Sequence, residues 1–499
     1  MPAPTPLKGK FKEKNNNMND PGNTYQPKLP LQGTGGQIST ICAISTPPGS
    51  GGIAVIRVSG DKAFEISDKN FAGVKSGEKL ADKAGYTVHF GNITDKKGQI
   101  VDEVLATVFR APNSFTGEDV VEFSCHGSLY IQKRILELLI KNGGILAKPG
   151  EFTMRAFHNG KIDLSQAEAV ADLIASTTEA THRMALNQMR GGFSEELNKL
   201  RQRLLDFTSL VELELDFTEE DVEFADRKQL QNLAVEIEEK ISSLAKSFRV
   251  GNVLKNGIPV ALVGETNVGK STLLNLLLNE DRAIVSDIHG TTRDSIEDVV
   301  DIDGITFRFI DTAGIRNTDD TIENMGIERT YQKIEQSDIV LWLIDCTQVS
   351  EHIEWLTERI SKRAKGKKVI LVFNKIDKLA DEEKEVIAQI FEQFEGDRIY
   401  ISAKKKINTD NLKKALVSAS QVKSIQSGDV IVNNIRHYEA LKQANSAIRR
   451  VINGLNNGIS GDFLSQDIRE CMYHLGEITG QISNDEILGN IFSKFCIGK

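Results

Sequence analysis

Eight residues near the middle of the chain constrain its fold most: Gly264-Glu-Thr-Asn-Val-Gly269-Lys270-Ser271. Two glycines separated by four residues and followed by Lys-Ser form a phosphate-binding loop. In such a loop backbone N–H groups curl round phosphate oxygens at a helix N-terminus. The context agrees. The apolar run Val260–Val263 precedes the loop as a strand would, and Thr272–Leu278 continues it with a helical pattern. Lys270 then reaches the outer phosphates and Ser271 offers a hydroxyl to Mg²⁺. About two chains in a hundred of this length would carry the pattern by accident, so further motifs must carry the argument.

They follow in order. Asp311-Thr312-Ala313-Gly314 comes after the strand-like Ile305–Ile310, Asn374-Lys375-Ile376-Asp377 after Val369–Phe373, and Ser402-Ala403-Lys404 after Ile399–Ile401. A carboxylate at a strand end can reach Mg²⁺ through water. The second motif resembles that of GTPases in which the Asp carboxylate accepts from two guanine N–H groups that adenine lacks, so guanine is the expected base. Gly290-Thr291-Thr292-Arg293-Asp294 falls in order between the loop and Asp311; alone it would read as an ordinary polar turn, but in this series it reads as a further motif of the same site. This region reads as a GTPase domain. Many small GTPases place a water-orienting Gln just after the Asp-Thr-Ala-Gly motif, but here that position is Ile315. The polar catalytic group must come from elsewhere, and Glu323 is the candidate by position. Asn267 can turn a carbonyl oxygen toward a monovalent cation, or merely brace the loop.

The 499 residues suffice for two to four domains. A net charge of −9, from 61 Lys+Arg against 70 Asp+Glu, excludes a protein that coats nucleic acid through a wholly basic surface. It leaves room for one local RNA contact. Cys42, Cys125, Cys346, Cys471 and Cys496 form no Cys-x-x-Cys pair, which fits a reducing compartment and argues against a zinc ribbon or disulfide framework. No apolar run approaches the ~20 residues that span a bilayer, so a cytoplasmic protein without a membrane segment is expected.

Residues 1–36 hold six of the eleven prolines and an Asn-rich patch, and are expected to be a disordered tail. Residues 37–152 alternate short β-rich runs with turn residues and one helical run, Leu129–Ile140, whose apolar side holds Ile131, Ile135, Leu138 and Leu139. Residues 153–254 change period: Phe193, Leu197, Leu200, Leu204, Phe207, Val211 and Leu215 step by three or four, and so do Leu230 to Phe248. Residues 417–499 repeat that stripe from Leu441 to Leu455 and from Leu464 to Ile478. Between them, residues 255–416 alternate strand and helix, the pattern of a parallel sheet covered on both faces. The expected fold is multidomain α/β: an N-terminal α+β domain, a helical bundle, and a Ras-like P-loop GTPase domain inserted into that bundle. Eight carboxylates within Glu212–Asp226 fit a solvated helix connection better than a metal site, and the eight histidines show no ligand spacing.

Motifs outside the GTPase region carry a more specific likeness. From Ile38 to Lys499 the chain resembles the tRNA-modification GTPases of the MnmE (TrmE) family. The likeness rests on Thr46-Pro-Pro-Gly-Ser-Gly-Gly52, Ala111-Pro-Asn-Ser-Phe-Thr-Gly-Glu-Asp119, Pro149-Gly-Glu-Phe152, Asn159-Gly-Lys-Ile-Asp-Leu-Ser-Gln-Ala-Glu-Ala169 and the ending Phe495-Cys-Ile-Gly-Lys499. The 36-residue extension and His289, where a small residue is common, depart from the family pattern.

The resemblance implies a homodimer through a folate-binding N-terminal domain at 37–152, with Arg57, Glu122, Lys161 and Lys499 holding 5,10-methylene- or 5-formyl-tetrahydrofolate. Cations suit its glutamyl carboxylates and a carboxylate suits the pterin amino groups; without the family, Arg57 and Glu122 read as a surface ion pair. GTP binding is implied for Asn267, Val268, Gly269, Lys270, Ser271, Thr272, Ser286, Asp287, Ile288, His289, Gly290, Thr291 and Thr292. It continues through Asp311, Thr312, Ala313, Gly314, Asn374, Lys375, Asp377, Ser402, Ala403 and Lys404. Mg²⁺ falls to Ser271 and Thr292, K⁺ to Asn267, Ser286, Ile288 and Thr291, and water orientation to Glu323.

Family members work in a heterotetramer with the FAD-dependent MnmG (GidA). Together they add an aminomethyl or carboxymethylaminomethyl group at position 5 of the tRNA wobble uridine, with the folate supplying one carbon. Cys496, in the terminal motif, is a candidate nucleophile, although free cysteines more often serve packing. A competing reading is a ribosome-assembly GTPase that binds RNA as a switch; the Cys-Ile-Gly-Lys ending and the folate positions favour the modification enzyme.

Overall fold

The computed structural model describes residues 39–75, 77–216, 227–280, 298–310, 331–348, 360, 363–391, 394, 396–420, 430–483, 485–493 and 495–498. The N-terminal tail and much of the acidic run fall outside these residues. Two compact units emerge. The first comprises residues up to Cys42, Gly49–Ile145 and His158–Lys161; the second comprises Ala43–Pro48, Leu146–Phe157 and everything from Ile162.

The first unit is built on an antiparallel run of strands in the order β3 (Phe71–Gly73), β4 (Thr87–Thr94), β5 (Ile100–Phe109), β6 (Val120–His126), β2 (Ile53–Ser59). Strands β1 (Ile41–Ile44) and β7 (Ile145–Leu146) extend it beyond β2. Because side chains alternate across a strand, β2 buries Ala54, Ile56 and Val58 while Arg57 sits on the opposite face. Helices α1 (Ala63–Asp68) and α2 (Leu129–Lys141) pack on β2, β5 and β6. Helix α2 is the expected helical run with one change of face. Ile135, Leu138 and Leu139 are buried as expected, but Gln132 is buried too, with Ile131 only half-covered. The Gln132 amide donates to the carbonyls of Gly49 and Gly127 (3.1 and 3.0 Å), which makes its burial tolerable.

The second unit contains a six-stranded sheet and a set of helices. The sheet runs β13 (Asp397–Tyr400), β12 (Lys368–Asn374), β11 (Ile339–Asp345), β8 (Ile258–Gly264), β10 (Ile305–Phe309), β9 (Asp298–Ile302). All neighbours are parallel except β9 on β10. Its central strands β8, β11 and β12 are almost wholly apolar because both faces are covered. Val260, Leu262, Leu341 and Val372 join Leu273 and Leu277 of α8 (Lys270–Glu280) and Leu412 and Leu416 of α10 (Thr409–Ser420). Ala261, Val263, Val340, Leu371 and Phe373 meet Ile334, Ile360 and Ile387, the last on α9 (Asp381–Ile390).

Four long helices, α6 (Gly192–Asp216), α7 (Arg227–Asn256), α11 (Ile435–Asn456) and α12 (Gly461–Thr479), share a core that includes Leu204, Phe207, Ile237, Ile241, Leu441, Ile448, Ile468 and Leu475. The chain passes from α7 through Gly257 into β8, and returns to α11 after residues 430–434. Shorter helices α3 (Glu151–His158), α4 (Leu164–Ala175), α5 (Glu179–Met189) and α13 (Asp485–Ser493) complete the unit. Helix α4 starts on a capping box in which Asp163 and Gln166 exchange hydrogen bonds.

One face of α4 meets both places where the chain crosses between helices and sheet. Asp172 binds Lys255 Nζ through one oxygen (2.7 Å) and Asn433 Nδ2 through the other (2.9 Å). One turn earlier, Glu168 accepts from Asn434 Nδ2 (3.0 Å), Arg436 Nε and Nη2 (3.1 and 2.8 Å) and His437 Nε2 (2.6 Å). Among the described residues no helix is long and apolar enough to cross a membrane, and no cluster of His, Cys, Asp and Glu has the makings of a metal site.

Candidate functional site

Parallel strands gather their C-terminal ends on one edge, the usual place for a ligand crevice. Register puts Gly264 of β8 beside Leu343 of β11, and Asp345 of β11 beside Asn374 of β12. The phosphate loop springs from this edge and is tied down from outside. Asn374 Nδ2 donates to Val268 O (2.7 Å) and Lys375 Nζ to Asn267 O (2.8 Å). A trans peptide points its N–H opposite its C=O, so these two bonds aim the N–H groups of Val268 and Gly269 away from their anchors. That is the arrangement an anion requires.

Asn267 adopts φ +61° and Gly269 φ +102°, a turn that only small or Asn-like residues make readily. A Cβ at Gly269 would collide with the Asn374 amide. Ser271 lies in the first turn of α8, where a hydroxyl suits Mg²⁺, a cation that takes oxygen ligands. Lys270 Nζ donates to the carbonyls of Gly264 and Glu265 (2.8 and 2.6 Å). Burial, with Lys333 adding repulsion, pushes its ammonium down to about 8.

The base-recognition motifs meet across β12 and β13. Asn374 is 3% exposed, and its Oδ1 accepts from Ala403 N (3.0 Å), so one side chain joins the phosphate loop to the Ser402-Ala403-Lys404 turn. Ser402 is buried, pairs with Ile407 through two backbone bonds, and accepts from Lys405 N at Oγ (3.2 Å). The Ser402 hydroxyl, with Lys405 Nζ at 3.5 Å, holds the Asp377 carboxyl below the usual carboxylate range. An ionised carboxylate on this rim can accept two N–H groups of a planar base.

Ser286, Asp287, Ile288, His289, Gly290, Thr291, Thr292, the 311–314 motif, Glu323 and Lys499 lie outside the described residues. The structure therefore brings together Asn267 to Thr272 with Asn374, Lys375, Asp377 and Ser402 to Lys404. Sequence reasoning missed Asp345, whose carboxylate pairs with Lys375 (2.5 Å), and Lys405 beside Asp377. The signal for Asp345 was a lone acid ending a strand of six apolar residues.

In the first unit Arg57 and Glu122 face each other in register on β2 and β6, with Nε–Oε1 at 2.7 Å. The loop before β6 closes over them. Phe115 lies under the Arg57 guanidinium (5.6 Å to the ring centroid), and Lys161 Nζ donates to Pro112 O (3.0 Å). The Ser59 hydroxyl, bound to Thr116 Oγ1 (2.8 Å) and Glu118 Oε2 (2.7 Å), fixes the loop from below. The plain ion pair expected of two strand residues is present, and Lys161 is gathered to the same loop. A carboxylate paired with a guanidinium over an aromatic ring, with Lys161 at the same loop, fits the amino groups and carboxylates of a folate.

Cys496 is exposed, whereas burial pushes the thiols of Cys42, Cys346 and Cys471 up to about 12 and that of Cys125 to about 11. The segment around Cys496 is anchored by Gly150 N to Cys496 O (3.4 Å) and Ser45 Oγ to Gly498 O (3.2 Å).

Comparison with known proteins identifies the family. A family model described as the MnmE helical domain matches residues 164–496, and one described as the GTP-binding protein TrmE N-terminus matches residues 40–161. The chain is 59% identical over 463 residues to a tRNA modification GTPase MnmE of Bacteroides fragilis (strain YCH46), covering 92% of this chain and 99% of that one. The chain belongs to the MnmE family of tRNA modification GTPases. Relatives of the same name from Parabacteroides distasonis and Flavobacterium johnsoniae are 56% and 53% identical, covering 93% and 92% of this chain and 100% and 99% of theirs. As an MnmE-family member the chain is a GTP-hydrolysing enzyme with a role in tRNA modification. The family match spans the β2–β6 pair, the phosphate loop and the terminal segment alike.

Proposed function

We propose that this protein is a K⁺-stimulated GTPase. In this reading it works in the cytoplasm as a homodimer with an FAD-dependent MnmG partner, adding an aminomethyl or carboxymethylaminomethyl group to position 5 of the tRNA wobble uridine. The observation that carries the reading is the Asn374 clamp, which joins a phosphate loop to a base-recognition turn in a chain 59% identical to a tRNA modification GTPase. Residues 255–416 act as the nucleotide module between helical parts 153–254 and 417–499, and residues 37–152 as the folate and dimerisation module.

Within the nucleotide module, the N–H groups after Asn267 cradle the phosphates, Lys270 neutralises them, and Asn374 and Asp377 select guanine. Ser271 and Thr292 hold Mg²⁺. Asn267, Ser286, Ile288 and Thr291 face K⁺, which supplies positive charge beside the transferred phosphoryl group. Ile315 cannot orient water, so Glu323 takes that part. Arg57, Glu122, Lys161 and Lys499 hold the tetrahydrofolate derivative, and Cys496 is a candidate nucleophile toward the uracil ring.

Two measurements test the reading. GTP turnover should be severalfold faster in K⁺ than in Na⁺, and tRNA from cells lacking the protein should lose the 5-substituent of its wobble uridines by mass analysis. Intact wobble uridines in such cells would leave a GTPase with some other RNA role.

A further inference from the structure

We propose that Asp345 is a positioning residue for the phosphate loop, setting the geometry of Asn267 through Lys375. The inference rests on the reading above, in which Asn267 faces a monovalent cation.

Asp345 ends β11 and is 5% exposed. A carboxylate so buried needs its charge and lone pairs answered. Both oxygens are. Oδ1 accepts from Thr347 N (3.0 Å) and Thr347 Oγ1 (2.7 Å), while Oδ2 meets Lys375 Nζ at 2.5 Å. Burial works against the charge, yet Lys375 and Thr347 together hold the carboxyl below its ordinary range.

The Lys375 backbone is itself constrained at φ +69°, directly after the buried Asn374. An ammonium has three donors. One goes to Asp345 and one to the carbonyl of Asn267 (2.8 Å), so the place of the amino group is set by a fixed anion on one side and delivered to the loop on the other.

That carbonyl is the lever. Asn267 is held at φ +61°, which an L-residue leaves readily for the more populated right-handed and extended regions unless something opposes it. Fixing its C=O fixes the following peptide plane, and with it the direction in which the Asn267 side chain leaves the backbone. Asn374, bonded to the next carbonyl along, cannot do this, because its bond acts one peptide later. Asp345 touches neither phosphate loop nor base-recognition turn directly. Its effect should therefore appear in cation response before it appears in nucleotide affinity.

Asp345→Asn keeps the shape and the acceptor for Thr347 but removes the charge that holds Lys375. In the full-length protein the K⁺ concentration giving half-maximal GTP hydrolysis should rise roughly tenfold, the equivalent of one lost hydrogen bond at the loop. GDP affinity measured in Na⁺ should stay within about threefold, a change smaller than one net hydrogen bond. Asp345→Glu, which restores the charge, should recover most of the K⁺ response. Thr347→Val loosens only Oδ1 and gives the same readout at smaller amplitude if Asp345→Asn folds poorly.

Wild-type turnover that is equal in K⁺ and Na⁺ would sink the cation reading itself. A K⁺-dependent wild type with unchanged half-saturation in Asp345→Asn and Thr347→Val overturns the role of Asp345 alone. Equal losses of GDP affinity and K⁺ response also overturn it, by making Asp345 a general brace of the base site.

Discussion

Replacing Glu168 by Gln should destabilise the helical part of the protein by about 3 kcal/mol, and the arrangement around this carboxylate shows why. Glu168 is buried on α4, and its two oxygens each accept two bonds: Asn434 Nδ2 and Arg436 Nε on one, Arg436 Nη2 and His437 Nε2 on the other. A glutamine keeps one oxygen and turns an NH₂ toward the other pair, so two donors face a third. Each orphaned buried donor costs about 1–3 kcal/mol, which sets a range of roughly 2–6 kcal/mol.

Two features pull the figure toward the lower half. Arg436 retains the carbonyls of Glu477 (2.7 Å) and Ile478 (3.1 Å) and is 23% exposed at its side chain. His437 Nδ1 has no partner among the described residues, so its proton can move there and let Nε2 accept from the new amide. The result lies near the ~3–5 kcal/mol expected for breaking a buried ion pair, or a fall in Tm of roughly 6–12 °C at ~2–4 °C per kcal/mol.

The pH dependence follows from the same cluster. Burial opposes the charge of Glu168, but His437 and Arg436 overcome it and hold the carboxyl down at about 2. Burial also lowers His437, which is therefore neutral at pH 7 and acts as a donor, leaving Arg436 as the charge partner. A group lowered on folding takes its proton first in the unfolded chain. Stability from His437 is thus complete above about pH 6.5 and is lost as pH falls below it, and that from Glu168 goes between roughly pH 5 and 2. Urea denaturation of wild type and Glu168→Gln at pH 7.5, 5.5 and 4 measures both effects. The gap between the two proteins should be largest at pH 7.5 and narrow at pH 4. A gap under 1 kcal/mol at pH 7.5, or one that widens in acid, would refute the reasoning.

Other expectations are briefer. Asn374→Asp places a carboxylate 2.7 Å from the Val268 carbonyl, two acceptors together, and should weaken GDP binding ~30-fold or more by fluorescent-nucleotide titration; an affinity within threefold of wild type rejects the clamp. With Lys270 near 8, nucleotide affinity should fall about tenfold between pH 7 and 9, with proton uptake in calorimetry at pH 9. A flat profile would show that Lys270 stays charged throughout. Arg57→Ala and Lys161→Ala should each weaken tetrahydrofolate binding ~10-fold or more while leaving GTP affinity unchanged, because Arg57, Lys161 and the phosphate loop lie in different units; unchanged folate affinity in both removes them from the site.

The nucleotide site was legible in the sequence because phosphate and guanine dictate residue types at fixed short spacings. The loop residues Gly264 to Ser271 and the Asn374–Asp377 motif can be read without knowing what lies beside them. Asp345 could not be read that way. It follows Ile-Val-Leu-Trp-Leu-Ile, where an acid looks like the end of a strand, and its partner Lys375 is brought to it only by the pairing of β11 with β12. Arg57 and Glu122 carried the right chemistry, but only the β2–β6 register puts them in contact. Helices α4 and α5 fall inside the stretch 153–254 expected to be helical, but their own bounds were not legible. Alanine, Thr and His leave too weak an apolar stripe, although the Asp163–Gln166 and Thr178–Thr181 capping pairs stood in the sequence as their start signals. Gln132 in the buried face of α2 shows the reverse error, a polar residue placed inward because two glycine carbonyls await it.

The Asp172 carboxylate works as a yoke. One oxygen takes the last turn of α7 as the chain enters the sheet, and the other takes the segment by which it returns. Two reins far apart in sequence are thereby held in one hand, and slack in either is felt by the other. Motion of the nucleotide-bearing sheet against the helices must either pivot about α4 or release one of these grips. The release would expose Asp172 to water and leave Lys255 or Asn433 seeking another acceptor. A single carboxylate on α4 thus ties the entry into the sheet and the return from it to one point.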